Sequence, residues 1–480
     1  MKCSFSHMAL WISLAMAVGC SNDEKPNIRS EQAPADRSVV TGWTTANTEA
    51  PPSDRLDNWH QWRGPNASGL APKGDPPLQW DESTNVKWKV EIPGSGSSTP
   101  IVWGNRIFLL TAIKTEANPN ATEQPADANP NQRGGRRGGF RMSTPTPTTL
   151  YEFVILCLDR ESGETLWQEV ANSEVPHEGH HPSHGYASAS PTTDGQFLYA
   201  SFGSRGFFCY DLDGKFQWKR DFGDMATKIG FGEGTSPVIH GDSLIVNWDH
   251  EGDSFIACLD PTTGDENWRV NRDEGTTWAT PLIVEQNGTT QVVTTASKRT
   301  RSYDLANGNL IWECGGQAGN PIPSPVALDG VVYCMTGFRG FALHAIPLDA
   351  AGDITGSGKL AWQRDDAAPY VASPLLYDDL LYFTKERNGI LFCVNATNGE
   401  VHYGNKRLPL DMLYASLAGA AGKIYITGRD GKTVVLKHGR EYEVLATNQL
   451  DEGIDASPAI VGTQLFLRGN KHLYCIESTE

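Results

Sequence analysis

One short pattern recurs along this chain and limits what it can fold into: a small residue, then Ser or Thr, then Pro, opening a short apolar run. It stands at Ser98-Thr99-Pro100, Ala189-Ser190-Pro191, Thr235-Ser236-Pro237, Ala279-Thr280-Pro281, Pro323-Ser324-Pro325, Ala372-Ser373-Pro374, Ala415-Ser416-Leu417 and Ala456-Ser457-Pro458. The last seven of these eight copies lie 41 to 49 residues apart. A repeat of that length built from short β-type runs cannot bury its apolar faces alone, so neighbouring copies must cover one another. The architecture that does so with four strands per repeat is a β-propeller.

Each repeat carries a second element: a strand ending in Asp or Asn, a turn with Gly, and an aromatic residue four positions after the Gly. Gly163/Trp167, Gly264/Trp268 and Gly308/Trp312 show it, and Gly214/Trp218, Gly358/Trp362 and Gly399/Tyr403 keep the offset. The Asp side chain folds back on its own backbone and the Gly supplies a positive φ, which together make a tight strand-to-strand turn. The Trp then packs between neighbouring blades. The eighth copy ends at "LYCIESTE" without such a Trp, while "NVKWKVEI" with Trp88 precedes the first. The expected fold is therefore all-β, an eight-bladed propeller of four-stranded antiparallel blades, with residues 86–92 completing the last blade and leaving no open sheet edge.

If the strands of a blade are lettered A to D from the axis outward, the B-to-C and D-to-A connections share one face. Trp to the next motif position takes 12 to 14 residues in most repeats, but 24 after Trp167 and 19 after Trp218. The first excess is "VPHEGHHPSHGYASASP", with His177, His180, His181 and His184; the second is "DFGDMATKIGFGEG". Residues 114–149, including "NQRGGRRGGFRM", make a third insertion on the same face, read as flexible. Extra loops crowded on one sector suggest a shaped site.

Imidazoles at H-x₂-H-H-x₂-H spacing suit Zn²⁺, and Pro182 puts them on a loop. Three readings stay open for them: a metal site, a contact to a ligand or partner, and an ordinary polar loop. The B-to-C turns add Arg205, His250, Lys298, Arg299, Arg339, Lys385, Arg387, Arg429 and Arg468, at least one in every blade from the second to the eighth. On a chain of net charge −17 this is either a local anion funnel or a solvated rim. Trp248 lies on the same face, where it could stack on a planar ligand. The acidic balance argues against nucleic acid as a partner.

The N-terminus has a short positive region at Lys2, an apolar stretch too short to span a bilayer, and "AVGC". It resembles a bacterial lipoprotein signal over residues 1–20, with Cys20 the acylated residue. Residues 21–57 are rich in Pro, Ser, Thr and charge and read as a disordered tether, with the propeller over 58–480. Cys157, Cys209, Cys258, Cys393 and Cys475 hold equivalent places in separate blades, too far apart for disulfides. A Cys314–Cys334 bridge is possible on sequence and has nothing to support it.

The Ser-Pro, Asp, Gly and Trp arrangement resembles the PQQ-type propeller shared by quinoprotein alcohol dehydrogenases and BamB, the outer-membrane assembly lipoprotein. "WHQWRGPNASG" and "SFGSRGFFCYDLDG" are similar to envelope propellers common in Planctomycetes. The resemblance implies a lipid-anchored module, exported and facing the periplasm or in the outer membrane, that binds an envelope protein or polymer through its loop-bearing face. The alternative it implies is a PQQ-dependent oxidoreductase with the quinone at the top of the channel and Ca²⁺ held by Glu, Asn and Asp; Glu233, Asn247 and Asp249 share that face. Such enzymes usually carry a vicinal cysteine pair, and this chain has none.

Overall fold

The computed structural model describes residues 55–117, 144–145 and 147–478. The signal, Cys20, the tether up to residue 54 and most of the insertion 114–149 lie outside the described residues. Eight antiparallel sheets follow one another: blade 1 (101–174), blade 2 (192–220), blade 3 (238–271), blade 4 (282–315), blade 5 (326–364), blade 6 (375–407), blade 7 (418–449) and blade 8 (459–476 with 86–91). Strands B and C are covered on both faces by the adjacent blades, so they read as continuous apolar runs; Phe255–Leu259 is buried throughout. Strand D faces solvent on one side and alternates, as Val444–Gln449 does. In blade 8 the outer strand is Val86–Glu91, paired antiparallel with His472–Ile476.

The Ser/Thr of the recurring motif accounts for the order of the blades. Each of these residues offers its hydroxyl oxygen to the backbone N–H of its counterpart in the preceding blade. Thr99 N–H donates to Ser190 Oγ (3.0 Å), Ser190 to Ser236 (2.9 Å), Ser236 to Thr280 (3.2 Å) and Thr280 to Ser324 (3.2 Å). Ser324 donates to Ser373 (3.0 Å), Ser373 to Ser416 (2.9 Å), Ser416 to Ser457 (2.9 Å), and Ser457 returns to Thr99 Oγ1 (3.2 Å). The result is a closed ring of eight bonds around the axis. The following Pro has no N–H of its own and keeps the residue before it extended, which is the conformation the ring needs.

A second belt holds the blades farther out. The indole N–H of Trp88, Trp167, Trp218, Trp268 and Trp362 donates to a backbone carbonyl of the next blade, at Arg160, Leu212, Pro261, Leu305 and Ala396 respectively, over 2.8–3.0 Å. The turn glycine of that next blade sits on the ring: a Cβ on Gly264, whose φ is +72°, would stand 2.7 Å from Trp218. Glycine is thus required twice, for its φ and for the close approach. Blade 4 departs from the pattern. Trp312 donates within its own blade to Gln291 (3.2 Å) and is covered by the short parallel strand Gly352–Asp353. The seven described cysteines are buried free thiols, Cys314 and Cys334 among them.

Residues 58–81 cross the face that carries the A-to-B turns. Trp59 pairs with Val102 of blade 1, and the His60 carbonyl accepts from Thr193 of blade 2 (3.0 Å). Trp62 then donates to Ser324 Oγ, a member of the ring (3.0 Å), and the Arg63 guanidinium donates to the Pro374 and Leu417 carbonyls, each one residue past a ring member. The segment continues to Gly419 of blade 7, Gly462 of blade 8 and Asn448. It is a plug over one end of the channel, and its aromatic and basic side chains are what the turn needs to reach the axis.

Two outcomes follow from this packing. Ser373→Ala leaves the buried Ser324 N–H without an acceptor, so it should lower the free energy of unfolding by about 1–3 kcal/mol, read from the denaturant midpoint. His60 is 1% exposed with no hydrogen-bond partner for either ring nitrogen among the described residues, and burial, aided by Arg55, pushes its pKa down to about 4. The unfolded chain then binds a proton that the folded one refuses between pH 6.5 and about 4, so this residue's contribution is full above pH 6.5 and is lost on acidification. His60→Phe should flatten the fall in stability across that window, by roughly 3 kcal/mol at its acid end.

Candidate functional site

The two inserted D-to-A loops lie over the other end of the channel and lock onto each other. Residues of the first, 175–189, reach from blade 1 across to blade 7: Ser183 Oγ donates to the Tyr414 hydroxyl (3.3 Å). The second, 221–235, reaches towards blade 4, where Lys228 Nζ donates to Asn320 Oδ1 (2.8 Å) and the Gly232 carbonyl accepts from the Trp278 indole (2.7 Å). Between them, the His181 N–H donates to the Phe231 carbonyl (3.2 Å), His177 Nε2 donates to the Met225 carbonyl (2.6 Å), and the Glu178 carboxylate accepts from the Thr227 N–H and hydroxyl.

Beneath this roof is a cavity of about 50 Å³, walled by His177, Glu178, Ser204, Glu233, Asn247 and Trp278 among others. That is room for a few water-sized groups. Ligand atoms of His177, Glu178 and Glu233 lie within 4.8 Å of one another there. Burial pushes both carboxyls above the ordinary carboxylate range, and the charge of Glu178 adds to the effect on Glu233. Glu233 accepts from the Ser204 N–H (2.7 Å) and hydroxyl. The four imidazoles do not converge. His180 Nδ1 donates to the His181 carbonyl, His181 Nδ1 bonds Ser183, and His184 Nδ1 accepts from the Gly185 N–H. Burial lowers the His184 pKa to about 4, which keeps it neutral.

The basic turns are held in three different ways. Arg205 is paired with Glu174 and Asp224, Lys298 with Asp273, Arg299 with Glu313 and Asp353, and Arg429 with both oxygens of Asp455 (2.5 and 2.9 Å). Arg468 is buried on the carbonyls of Ser98 and Leu110, and His250 Nδ1 accepts from the Ala226 N–H. Arg339, Lys385 and Arg387 lie instead on aromatic groups. Arg339 is 5.2 Å from the Phe338 ring centre, Lys385 is 4.7 Å from that of Phe341, and Arg387 donates to the Tyr414 hydroxyl (3.1 Å). Among the described residues none of these three has a carboxylate partner.

The same site tests the fit of a planar quinone. Trp248 is 2% exposed, stacked on Phe255 at 6.0 Å and flanked by Phe222 at 5.4 Å, so it has no free face for another ring. Asp249 is fully buried and bound through both oxygens to Arg272 (2.7 and 3.0 Å). Trp248 and Asp249 do not fit PQQ with Ca²⁺, because the ring that would stack on the quinone and the carboxylate that would serve the ion are already engaged by the protein. The loop-to-loop locking and the pairing of the cations were not legible from spacing, since most partners lie in another blade or in a connection between blades. "WHQWRGPNASG" was noticed only as a likeness, and its Trp and Arg in a turn were the signal of the plug.

A family profile described as outer membrane protein assembly factor BamB matches residues 152–405, more than half of the chain. No curated protein matches it. Among solved structures, the quinohemoprotein alcohol dehydrogenase ADHIIG from Pseudomonas putida HK5 superposes with a TM-score of 0.55 at 9% identity, over 89% of this chain and 81% of that one. BamB from Moraxella catarrhalis gives a TM-score of 0.48 at 14% identity, over 68% of this chain and 89% of that one. At such identities the dehydrogenase shares the fold, and a propeller fold hosts many activities. With the repeat, the eight blades and the matched span together, the chain belongs to the family described as outer membrane protein assembly factor BamB.

Proposed function

We propose that this protein is a non-catalytic binding module of the bacterial cell envelope, tethered by a lipid on Cys20, that docks an acidic segment of another envelope protein on its loop-bearing face. The observation that carries the reading is the trio Arg339, Lys385 and Arg387, set on aromatic rings and a phenol in a protein of net charge −17. A cation held on a ring keeps its charge available, whereas one held by a carboxylate is neutralised. The histidine loop borders this patch through Ser183 and Tyr414, so its tip belongs to the same surface. No helix among the described residues is long and apolar enough to cross a membrane, which leaves the anchor to the lipid in this reading.

The test compares the full chain with its Arg339→Glu, Lys385→Glu and Arg387→Glu triple variant as baits in envelope extract, with crosslinks mapped by mass spectrometry. The expected result is a partner crosslinked through an acidic segment, captured less as salt rises, and lost by about 10-fold or more in the variant. Equal capture by both baits, or crosslinks confined to the opposite face, would overturn the proposal. In a parallel titration PQQ with Ca²⁺ should give no saturable quenching of tryptophan fluorescence; saturable micromolar quenching would restore the oxidoreductase reading.

A further inference from the structure

We infer that Ile229, at the tip of the second inserted loop, is the apolar anchor of the docking surface, and that the acidic segment received there carries a large apolar side chain beside its carboxylates. The inference rests on the docking reading above and adds to it one residue of this chain and one feature of the partner.

Ile229 is held where its own chemistry resists. Its φ is +58°, in the left-handed region, and among the described residues it is the one β-branched side chain with a positive φ. A branched Cβ crowds the backbone there, and Gly, Asn and Asp enter that region far more readily. Burial gives nothing in return, because Ile229 is 53% exposed, more than any other large apolar residue described.

The backbone on either side holds the strain. The Lys228 N–H donates to Thr276 Oγ1, in the connection from blade 3 to blade 4 (2.8 Å). The Gly230 N–H donates to the Thr227 carbonyl (3.0 Å), and the Gly230 carbonyl accepts from Thr144 Oγ1 (3.0 Å). The Phe231 carbonyl takes the His181 N–H, and the His181 ring stands edge-on to the Phe231 ring at 5.2 Å. Three other segments thus over-determine this turn and leave the Ile229 side chain in solvent. Strain kept in this way clusters at sites that bind.

The surroundings say what would cover it. Lys228, the neighbouring residue, donates its Nζ to a neutral oxygen, Asn320 Oδ1 (2.8 Å), and among the described residues it pairs with no carboxylate. Asn320 follows Gly319, whose backbone pairs with that of Phe338, and the Phe338 ring carries Arg339. On the other side the histidine loop leads from His181 through Ser183 and Tyr414 to Arg387. An exposed apolar side chain beside three cations without carboxylate partners fits a ligand that offers both an apolar group and acidic ones. An anchor already fixed in place also loses little freedom on binding.

The full chain would be titrated by fluorescence anisotropy with three labelled nonapeptides. The first has a central Phe flanked by Glu residues, the second has Ser in place of the Phe, and the third has Gln in place of the Glu residues. The expected result is that the first binds about 10-fold tighter than the second, the effect of burying a large apolar side chain, and that the third does not saturate. Ile229→Asn should remove the preference for Phe, leave the affinity for the Ser peptide unchanged and melt no lower than the wild type, because Asn tolerates the left-handed turn. Ile229→Leu should keep the preference. Equal binding of the Phe and Ser peptides, a preference that survives in Ile229→Asn, or a lower melting point of that variant would overturn the inference and leave the docking patch standing. Failure of both acidic peptides to bind, equal binding of the Gln peptide, or binding retained by the Arg339→Glu, Lys385→Glu and Arg387→Glu triple variant would remove the docking reading, and this inference with it.

Discussion

The closed ring of eight Ser and Thr hydroxyls is the constraint on which the rest depends. Each bond joins one blade's innermost backbone to the next blade's side chain, so no blade can shift along the axis without breaking two of them. The ring closes at the eighth copy, where the Ser457 N–H comes back to Thr99. Outside it, the Trp and Gly contacts fix the tilt of each blade against the next. Two kinds of bond at two radii are enough to define a rigid disc.

A rigid disc with a central hole needs its ends dealt with, and this chain uses its own segments for both. Trp62 and Arg63 close the face of the A-to-B turns, and the two inserted loops close the other. The likeness to quinoprotein dehydrogenases therefore ends at the channel mouth, where Trp248 is sealed among phenylalanines and most of the basic turns are already paired.

The fold was legible because its determinants are local and repeated. The Ser-Pro step, the Asp and Gly of the turn, and the Trp each act within a few residues, and eight imperfect copies reinforce one another even where Leu417 replaces Pro or Tyr403 replaces Trp. The site was legible only as a location. Spacing placed His177 to His184 and the basic turns on one face, but not the pairing of Arg429 with Asp455 or of Arg299 with Asp353, which depends on contacts between distant segments. Glu178 is the clearest omission. It sits among four histidines and draws less notice than they do, yet its partner Glu233 is brought beside it only when two insertions fold together.

The outer strand of blade 8 has a consequence for how such a molecule is made. Val86–Glu91 is synthesised before blade 1, and it pairs with His472–Ile476, which follows blade 7. The plug just before it touches blades 1, 2, 5, 6, 7 and 8, so it too has nowhere complete to dock until the last repeat has arrived. Closure is therefore a test of completeness. A truncated or stalled chain can stack blades, but it keeps a raw strand edge and an unsealed channel that mark it as unfinished.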